Sequence, residues 1–286
     1  MKVLVFGETG QVARALALAG PTRGVTVQTL NRAQADLSDP VACAAAVMAT
    51  DADAVINAAA WTAVDAAEDQ EAAAQVVNAD SPGAMARACA ARGLPFVQIS
   101  TDYVFDGSAG APWVPDAPTA PLGAYGRTKR AGERAVLESG ARAVVLRTAW
   151  VFDGTGKNFV TTMLRLSETR DTLSVVADQI GGPTPADAIA DACLTIAQAL
   201  VEGTGQGGVH HFSGAPDLSW ADFARAIFAT AGRDVTVTDI TTADYPTPAA
   251  RPANSRLDCS SLTTAFGIAR PDWQTALTRI IKETHA

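Results

Sequence analysis

The sequence predicts an α/β fold in which helices cover both faces of a mainly parallel sheet. In the first half of the chain, short runs of β-branched residues alternate with alanine-rich helical stretches, the pattern of a doubly wound sheet. A glycine turn follows the first run directly. After Trp150 the alternation loosens and Gly/Pro-rich segments appear. These three observations predict a first domain at residues 1–149, with a strand and helix added from about 178–213, and a smaller C-terminal lobe at 150–286.

The strands of the first domain are expected where β-branched and aromatic residues cluster. They are KVLVF, VTVQTL, AVINAAA, PFVQIS and AVVLRTAW. The helices between them are expected to begin near Gln11, Asp39, Asp69 and Tyr125, the third running past Pro82. In the second lobe, periodicity predicts helices at 159–168, 220–231 and 273–283 and strands at 173–176 and 209–212.

Charge and composition argue against several classes of function. The formal net charge of −8 disfavours a nucleic-acid partner or an anionic membrane surface, because both require an extended basic field. The alanine-rich runs carry acidic residues and fall short of the ~18 uninterrupted apolar residues of a membrane span. MKVLVFG is typical of a first strand and lacks a signal-peptide cleavage site, so we expect a cytoplasmic protein. The four cysteines are far apart and are expected to be buried thiols.

The segment VLVFGETGQVARAL carries a glycine turn between a strand and a helix. Gly7 permits the tight turn, Gly10 lets the backbone approach a pyrophosphate, and Ala13 allows close helix–strand contact. This pattern indicates a Rossmann-type dinucleotide-binding unit. Such a unit usually ends its second strand with an acidic residue for the ribose hydroxyls, but here Asn31 and Arg32 occupy that place. Arg32 is expected either to hold a 2′-phosphate, which favours NADPH, or to be an exposed loop cation.

Tyr125 and Lys129 lie four residues apart at the start of a predicted helix, so their side chains share one face. Thr101 follows a predicted strand, at the edge where open α/β sheets bind ligands. A nearby ammonium and a positively charged nicotinamide favour a phenolate, so we expect a lowered tyrosine pKa. Tyr125 is then predicted to give a proton to a carbonyl oxygen as hydride arrives, while Thr101 bonds the same oxygen. The alternative is a solvated lysine beside a packed tyrosine.

Seven motifs together resemble those of one family. In order from Met1 to the last predicted helix, the chain contains GETGQVA, AVINAAAWTAVDAAE, STDYVFDG, YGRTK, LRTAWVF, GGPT and RPANSRL. They are similar to the motifs of extended short-chain dehydrogenase/reductases, and within these of the dTDP-4-dehydrorhamnose reductases. The resemblance implies a Rossmann domain with a C-terminal substrate-binding lobe. It also implies reduction of the 4-keto group of the nucleotide sugar dTDP-4-dehydro-L-rhamnose by NADPH or NADH.

The resemblance further implies roles for matching positions. The catalytic residues would be Thr101, Tyr125 and Lys129. The cofactor-binding residues would be Gly7, Gly10, Gln11, Val12, Asn31, Arg32, Asp36, Leu37, Ala58, Ala60, Trp61, Thr62, Ile99, Tyr125 and Lys129. The substrate-binding residues would be Thr101, Asp102, Trp150, Asn158, Phe159 and one of Arg251 and Arg256, with the arginine at the diphosphate.

Simpler structural roles stay open for several of these residues. If Trp150 does not bind substrate, it is an aromatic residue of the core or of a lid. If Arg251 does not bind the diphosphate, it caps a loop. Two polar clusters are expected to be structural and not metal-binding. They are His210 with His211, and Asp65 with Glu68 and Asp69.

Two positions depart from the family pattern. Trp61 stands where the family usually has a smaller aromatic residue or a histidine, which alters the fit beside the nicotinamide. Ala15 stands where some members carry a glutamate in a magnesium-bridged dimer. Magnesium is therefore doubtful, no metal site is expected, and either a monomer or a homodimer is consistent with the sequence.

Three other functions remain to be weighed. A sugar-nucleotide 4,6-dehydratase requires a glutamate directly after its active-site aspartate, whereas Asp102 is followed by Tyr103. A sugar-nucleotide epimerase is excluded less firmly. A non-catalytic role, like that of the related regulatory subunits of methionine adenosyltransferase, is disfavoured because Tyr125 and Lys129 are both present.

Overall fold

The computed structural model describes residues 1–284. Its strands are β1 (Lys2–Phe6), β2 (Thr26–Leu30), β3 (Ala54–Asn57), β4 (Phe96–Thr101), β5 (Ala143–Thr148), β6 (Val151–Phe152), β7 (Thr172–Val176), β8 (Ile180–Gly181), β9 (Thr184–Pro185), β10 (Gly208–His211), β11 (Leu218–Ser219), β12 (Thr236–Ile240) and β13 (Asn254–Ser255). Its α-helices are α1 (Gln11–Thr22), α2 (Pro40–Ala49), α3 (Val64–Asp69), α4 (Glu71–Gln75), α5 (Ser81–Arg92), α6 (Ala124–Leu137), α7 (Phe159–Leu166), α8 (Ala186–Val201), α9 (Trp220–Ala231), α10 (Ser260–Phe266) and α11 (Trp273–Thr284).

Six strands form the central sheet, in the order β10-β5-β4-β3-β1-β2, and all of them are parallel. The predicted doubly wound parallel sheet is therefore confirmed. The order reverses between β1 and β3, so the loops that follow these strands diverge and leave a crevice at their carboxyl ends. The last strand, β10, comes from beyond residue 200 and completes the edge of the sheet.

Both faces of the sheet are covered, as its continuous apolar strands require. Alternate residues of β1, β3, β4 and β5 point toward α1 and α8 and form one core cluster. The intervening residues point toward α2, α5 and α6 and form a second cluster. The central strands are buried between two helical layers, whereas the edge strand β2 is partly exposed.

The chain between β3 and β4 is less regular than the single helix expected near Asp69. Helix α3 ends at Asp69, and α4 begins at Glu71. A π-helical turn at Val76–Asp80 then joins α4 to α5. Pro82 lies in the first turn of α5, where its missing N–H costs no helical hydrogen bond.

A third core cluster lies in the C-terminal part of the chain. Helices α7, α9 and α11 pack around the parallel pair of β7 and β12. The predicted helices at 220–231 and 273–283 correspond closely to α9 and α11. Short pairings join β8 to β11 and β13, and they join β6, which follows β5 directly, to β9.

Two composition-based expectations can be compared with the structure. All four cysteines, Cys43, Cys89, Cys193 and Cys259, are buried free thiols, as predicted. Among residues 1–284, no helix combines the length and apolar character needed to cross a membrane.

Candidate active site

The glycine turn lies at the point where the strand order reverses. Gly7 has φ of 112°, which favours glycine, and a Cβ there would lie 3.4 Å from the Ala58 backbone. A Cβ on Gly10 would meet only the Ala58 carbonyl oxygen, at 4.0 Å, so space remains beside the first turn of α1. The buried Oε1 of Gln11 has no hydrogen-bond partner within residues 1–284. The Val12 side chain is in the core, so only its backbone can contact a ligand. A dinucleotide diphosphate therefore fits this turn.

The end of β2 carries the residues expected near the adenosine. Asn31 Oδ1 accepts two backbone N–H groups and closes a turn. Arg32 Nε donates to Asp36 Oδ2 at 2.9 Å, and the arginine side chain is 83% exposed. Backbone and side-chain hydrogen bonds from Ser38 and Arg32 lower the pKa of Asp36. Leu37 is buried. Arg32 thus lies in an exposed loop, where its side chain pairs with Asp36.

The segment after β3 is attached to the helix that carries the Tyr–Lys pair. The Trp61 N–H donates to Asn78 Oδ1 at 2.8 Å, and Asn78 Nδ2 donates to the Trp61 carbonyl oxygen and to Thr128 Oγ1. Asn78 lies in the π-helical turn and is 2% exposed. It links the segment of Ala60, Trp61 and Thr62 to α6. Sequence reasoning missed Asn78, although a polar amide in an alanine-rich helical run is a usable signal.

Tyr125 and Lys129 lie on the side of α6 that faces the end of β4. The Lys129 Nζ donates to the Ile99 carbonyl oxygen at 2.7 Å, and Lys129 is 4% exposed. The Tyr125 ring packs edge-on against Tyr103, with ring centroids 5.4 Å apart. Thr101 ends β4 and is 5% exposed. The structure therefore brings Thr101, Tyr125 and Lys129 together, and it excludes the alternative of a solvated lysine.

Burial dominates the electrostatics of this group. It raises the pKa of Tyr125 to about 12, although the neighbouring Thr101 hydroxyl acts in the opposite direction. Burial also lowers the pKa of Lys129 to about 8, partly offset by the negative charge of Glu133. In the chain alone the pKa of Tyr125 is therefore raised and not lowered, while the expectation, which also counted a bound and positively charged nicotinamide, stays a prediction. Desolvation of the phenolate outweighs any attraction from the ammonium.

Two unsatisfied polar atoms lie beside Thr101. Asp102 is buried, with Oδ1 accepting from the Thr101 hydroxyl at 3.1 Å and Oδ2 unpartnered within residues 1–284. Burial raises the pKa of Asp102 to about 6, against the effect of the Ser255 and Thr101 hydroxyls. Thr148 pairs with Thr101 across the strands, and its buried Oγ1 also has no partner in the described chain. Unsatisfied buried groups are costly, so these oxygens suit contacts to a polar ligand.

A buried ion pair lies under the Tyr–Lys pair. Glu133, one turn beyond Lys129 on α6, accepts two hydrogen bonds from Arg147, at 2.7 and 2.8 Å. Ser100 Oγ donates to the same carboxylate at 2.7 Å. Arg147 also contacts Nε2 of His211, whose Nδ1 bonds the Trp113 carbonyl oxygen. Burial and the arginine charge lower the pKa of His211 to about 3, so it is neutral. The ion pair joins α6 to β4, β5 and β10.

The predicted substrate aromatics form one cluster. Trp150 stacks on Trp220 with centroids 3.5 Å apart, and Phe159 packs on Trp220 at 4.5 Å. Trp150 has φ of 51°, a conformation uncommon for a residue other than glycine. Gly181 leaves room for the indole, because a Cβ there would lie 2.6 Å from it. Trp220 was missed from the sequence, where it marked only the start of a helix.

The remaining predicted substrate contacts are bonded within the chain. Arg251 pairs with Asp65 at 2.9 Å, and its side chain is 20% exposed. Arg256 bonds Asn254 Oδ1 and a neighbouring carbonyl oxygen. The Asn158 side chain caps α7 and donates to the loop before that helix. These bonds show how each side chain is held, and the diphosphate contact stays a prediction.

The polar clusters named from the sequence have structural partners. His210 lies near Ser261 Oγ at 3.2 Å and packs edge-on against Phe266. Asp65 pairs with Arg251, and Glu68 accepts the Ala124 N–H at 2.8 Å. Among residues 1–284, no group of three or more His, Cys, Asp or Glu side chains is arranged to hold a metal ion.

Comparison with known proteins gives the family. A model of the RmlD substrate binding domain matches residues 1–286. The chain belongs to this family. It is 43% identical to the dTDP-4-dehydrorhamnose reductase of Sinorhizobium fredii, over 98% of this chain and 97% of the relative. It is 44% identical to that of Burkholderia thailandensis, over 99% of each chain. The resemblance inferred from the motifs is confirmed.

Solved structures agree with this RmlD-family assignment. A dTDP-4-dehydrorhamnose reductase from Clostridium acetobutylicum has a TM-score of 0.92 and 36% identity, with all of both chains covered. One from Bacillus anthracis, solved in complex with NADP, has a TM-score of 0.91 and 32% identity over 99% of each chain. A UDP-glucose 4-epimerase with 14% identity and a TM-score of 0.82 shows the shared Rossmann-type fold alone.

Proposed function

We propose that this chain reduces the 4-keto group of dTDP-4-dehydro-L-rhamnose to dTDP-L-rhamnose, with NADPH or NADH as the reductant. The observation that carries the proposal is the buried group of Thr101, Tyr125 and Lys129 at the carboxyl edge of the sheet. The family supports it, since relatives that align over nearly the whole chain are named for this reaction. The glycine turn and the NADP complex of the Bacillus anthracis relative support the cofactor.

The chain supplies the proton and the orientation. A reduced nicotinamide bound beside the glycine turn would supply the hydride. Tyr125, protonated at neutral pH with a pKa of about 12, donates its phenolic proton to the carbonyl oxygen. The Thr101 hydroxyl donates a hydrogen bond to that oxygen, exchanging its present bond to Asp102. The charge on Lys129 stabilises the phenolate left behind and holds the nicotinamide ribose.

The surrounding residues orient the sugar nucleotide. The unpartnered oxygen of Asp102 accepts a sugar hydroxyl, since it lies buried beside Thr101. Trp150, stacked on Trp220, forms a wall of the sugar site. Arg251 approaches the diphosphate, and its bond to Asp65 holds the guanidinium in place beforehand. Arg256 is the other candidate for this contact.

The test is to incubate the purified protein with dTDP-4-dehydro-L-rhamnose and NADPH or NADH and to follow the nicotinamide absorbance. Tyr125→Phe removes only the hydroxyl, and we expect a loss of ~10²–10⁴-fold in kcat with cofactor binding retained. Near-normal turnover in that variant would disprove the role of Tyr125. If the native protein oxidises no cofactor, the result would favour a non-catalytic scaffold. Conversion of dTDP-glucose to its 4-keto-6-deoxy product would favour a dehydratase, which Tyr103 argues against.

A further inference from the structure

Helix α6, which carries Tyr125 and Lys129, has an N-cap residue without a side chain that could accept a hydrogen bond. The N-cap residue is Gly123, with an extended backbone at φ of −125° and ψ of 171°. The first N–H groups of a helix lack partners within the helix and need another acceptor. Ala124 is the first helical residue, and Tyr125 is the second. A group that accepts a hydrogen bond from the Ala124 N–H is therefore bound to the residue directly before Tyr125.

The acceptor comes from a distant segment. Glu68 Oε1, on α3, accepts the Ala124 N–H at 2.8 Å, across 56 residues of sequence. A carboxylate at a helix N-terminus is favoured by the positive end of the helix dipole. Its hydrogen bond to an N–H is also charge-assisted, and hence stronger than a neutral one. Glu68 thus replaces the N-cap side chain that Gly123 lacks.

Gly123 leaves the space that this carboxylate occupies. A Cβ at position 123 would lie 2.5 Å from Glu68 Oε1, while the next nearest atoms are 3.6 and 3.8 Å away. The backbone at Gly123 is extended, so any residue could adopt its dihedral angles. The clash with Glu68 is thus the main constraint on a larger residue. The two positions are complementary, because the absence of a side chain at Gly123 leaves the space that the Glu68 carboxylate occupies.

Helix α3 is also held through a second acidic residue. Asp65, three residues before Glu68, accepts the Ala249 N–H at 3.2 Å and pairs with Arg251. The Glu68 side chain therefore projects from a short helix that is bonded to the segment of Ala249 and Arg251. This support limits the positions that the carboxylate can take at the start of α6.

We propose that Glu68 is a positioning residue of the active site, which fixes the first turn of α6 and so holds the Tyr125 phenol at Thr101. The proposal rests on the proposed reductase function for its kinetic consequence. Glu68 acts through the backbone of Ala124 and touches neither substrate nor cofactor. Because a misplacement of about 1 Å in a catalytic group can cost ~10²-fold in rate, loss of the cap is expected to reduce turnover more than binding.

The test compares Glu68→Ala, Glu68→Gln, Gly123→Ala and the double variant Glu68→Ala with Gly123→Ala. Glu68→Ala is expected to lower kcat by roughly 10- to 100-fold, with KM and cofactor affinity changed less than about threefold. Glu68→Gln keeps an acceptor oxygen and is expected to recover most of kcat. Gly123→Ala displaces the carboxylate and is expected to match Glu68→Ala, and the double variant is expected to lose nothing further.

The matched control is Glu71→Gln. Glu71 also contacts α6, through two bonds of 2.8 Å to the exposed Arg127 side chain, but it does not cap the helix. The kcat of Glu71→Gln is expected to equal that of the native protein. The proposal is overturned if Glu68→Ala keeps kcat within about twofold, or if the losses from Glu68→Ala and Gly123→Ala multiply in the double variant.

Amide hydrogen exchange separates this proposal from the reductase assignment. Exchange over the first turn of α6 is expected to be faster in Glu68→Ala and Gly123→Ala than in the native protein, and unchanged in Glu71→Gln. Faster exchange in a protein that oxidises no cofactor would reject the proposed function and keep the structural role of Glu68. Unchanged exchange would reject the role of Glu68, whatever the activity.

Discussion

The buried charge of Lys129 predicts a specific alkaline limit to activity. Its pKa is lowered from 10.5 to about 8 by burial, a difference of about 2.5 units. At 1.36 kcal/mol per unit, the protonated lysine costs the folded state about 3 kcal/mol relative to water. If the charged form holds the ribose and stabilises the phenolate, kcat/KM is expected to be nearly level up to about pH 7 and to reach about half its maximum at pH 8. Well above pH 8 it is expected to fall about tenfold per pH unit.

The assay is the initial rate of cofactor oxidation between pH 7 and 10 at constant ionic strength. Tyr125, with its pKa of about 12, adds no step in this range, and Asp102, at about 6, titrates below it. Lys129→Met is expected to be slow at every pH and to lack the fall above pH 8. The exposed Lys282→Met serves as the control and should retain the native profile. A native profile that stays level to pH 10, or a fall that persists in Lys129→Met, would refute the reasoning.

Stability gives an independent measurement with a definite sign. Below pH 8 the folded and unfolded chains both carry the lysine proton, and the cost of the buried charge is present in full. Between pH 8 and 10.5 only the folded chain releases the proton, so the unfolding free energy rises with pH. Urea denaturation at pH 7.5 and 9.5 should show native stability improving by about 2 kcal/mol relative to Lys129→Met. A decrease over this range would contradict the assigned pKa.

Three further variants test other parts of the site. Arg32→Ala is expected to lower kcat/KM several-fold for NADPH and little for NADH, because only NADPH has a 2′-phosphate for this exposed cation; equal losses with both cofactors would disprove the contact. Glu133→Ala leaves Arg147 buried without its carboxylate and should reduce the unfolding free energy by about 3–5 kcal/mol in urea denaturation; a loss under about 1 kcal/mol would mean that water or another group replaces the pair. Gly181→Ala pushes on the Trp150 indole and is expected to raise the substrate KM with cofactor affinity unchanged, and an unaltered KM would remove the indole from the sugar site.

Local sequence patterns were sufficient for most of the first domain. Strands β1, β2, β4 and β5 lie where β-branched runs predicted them, since buried parallel strands need apolar residues on both faces. Helix α8 was harder to delimit, because the Gly/Pro-rich stretch before Ala186 hides its start. Strand β12 was missed, because TVTDI is half exposed and gains its pairing only from β7.

Local sequence patterns also indicated the candidate site where its residues are close in sequence. The Tyr125–Lys129 spacing follows from helical geometry, and the Gly7–Gly10 turn follows from the backbone needs of a diphosphate. The raised pKa of Tyr125 in the chain alone was not foreseen, because sequence shows which charges are near but not how far a phenol is removed from water.

The sequence by itself therefore determined the doubly wound sheet and the glycine turn, and it indicated the side chains that we propose as reacting groups, since each follows from a pattern of a few residues. Tertiary structure decided how those side chains are held. Glu68 meets Ala124 across 56 residues, Arg147 meets His211 across 64, and Trp150 stacks on Trp220 from another element. No local pattern encodes such pairs, because hydrogen bonds and ring contacts between distant segments exist only after the packing of helices on the sheet has set their separation.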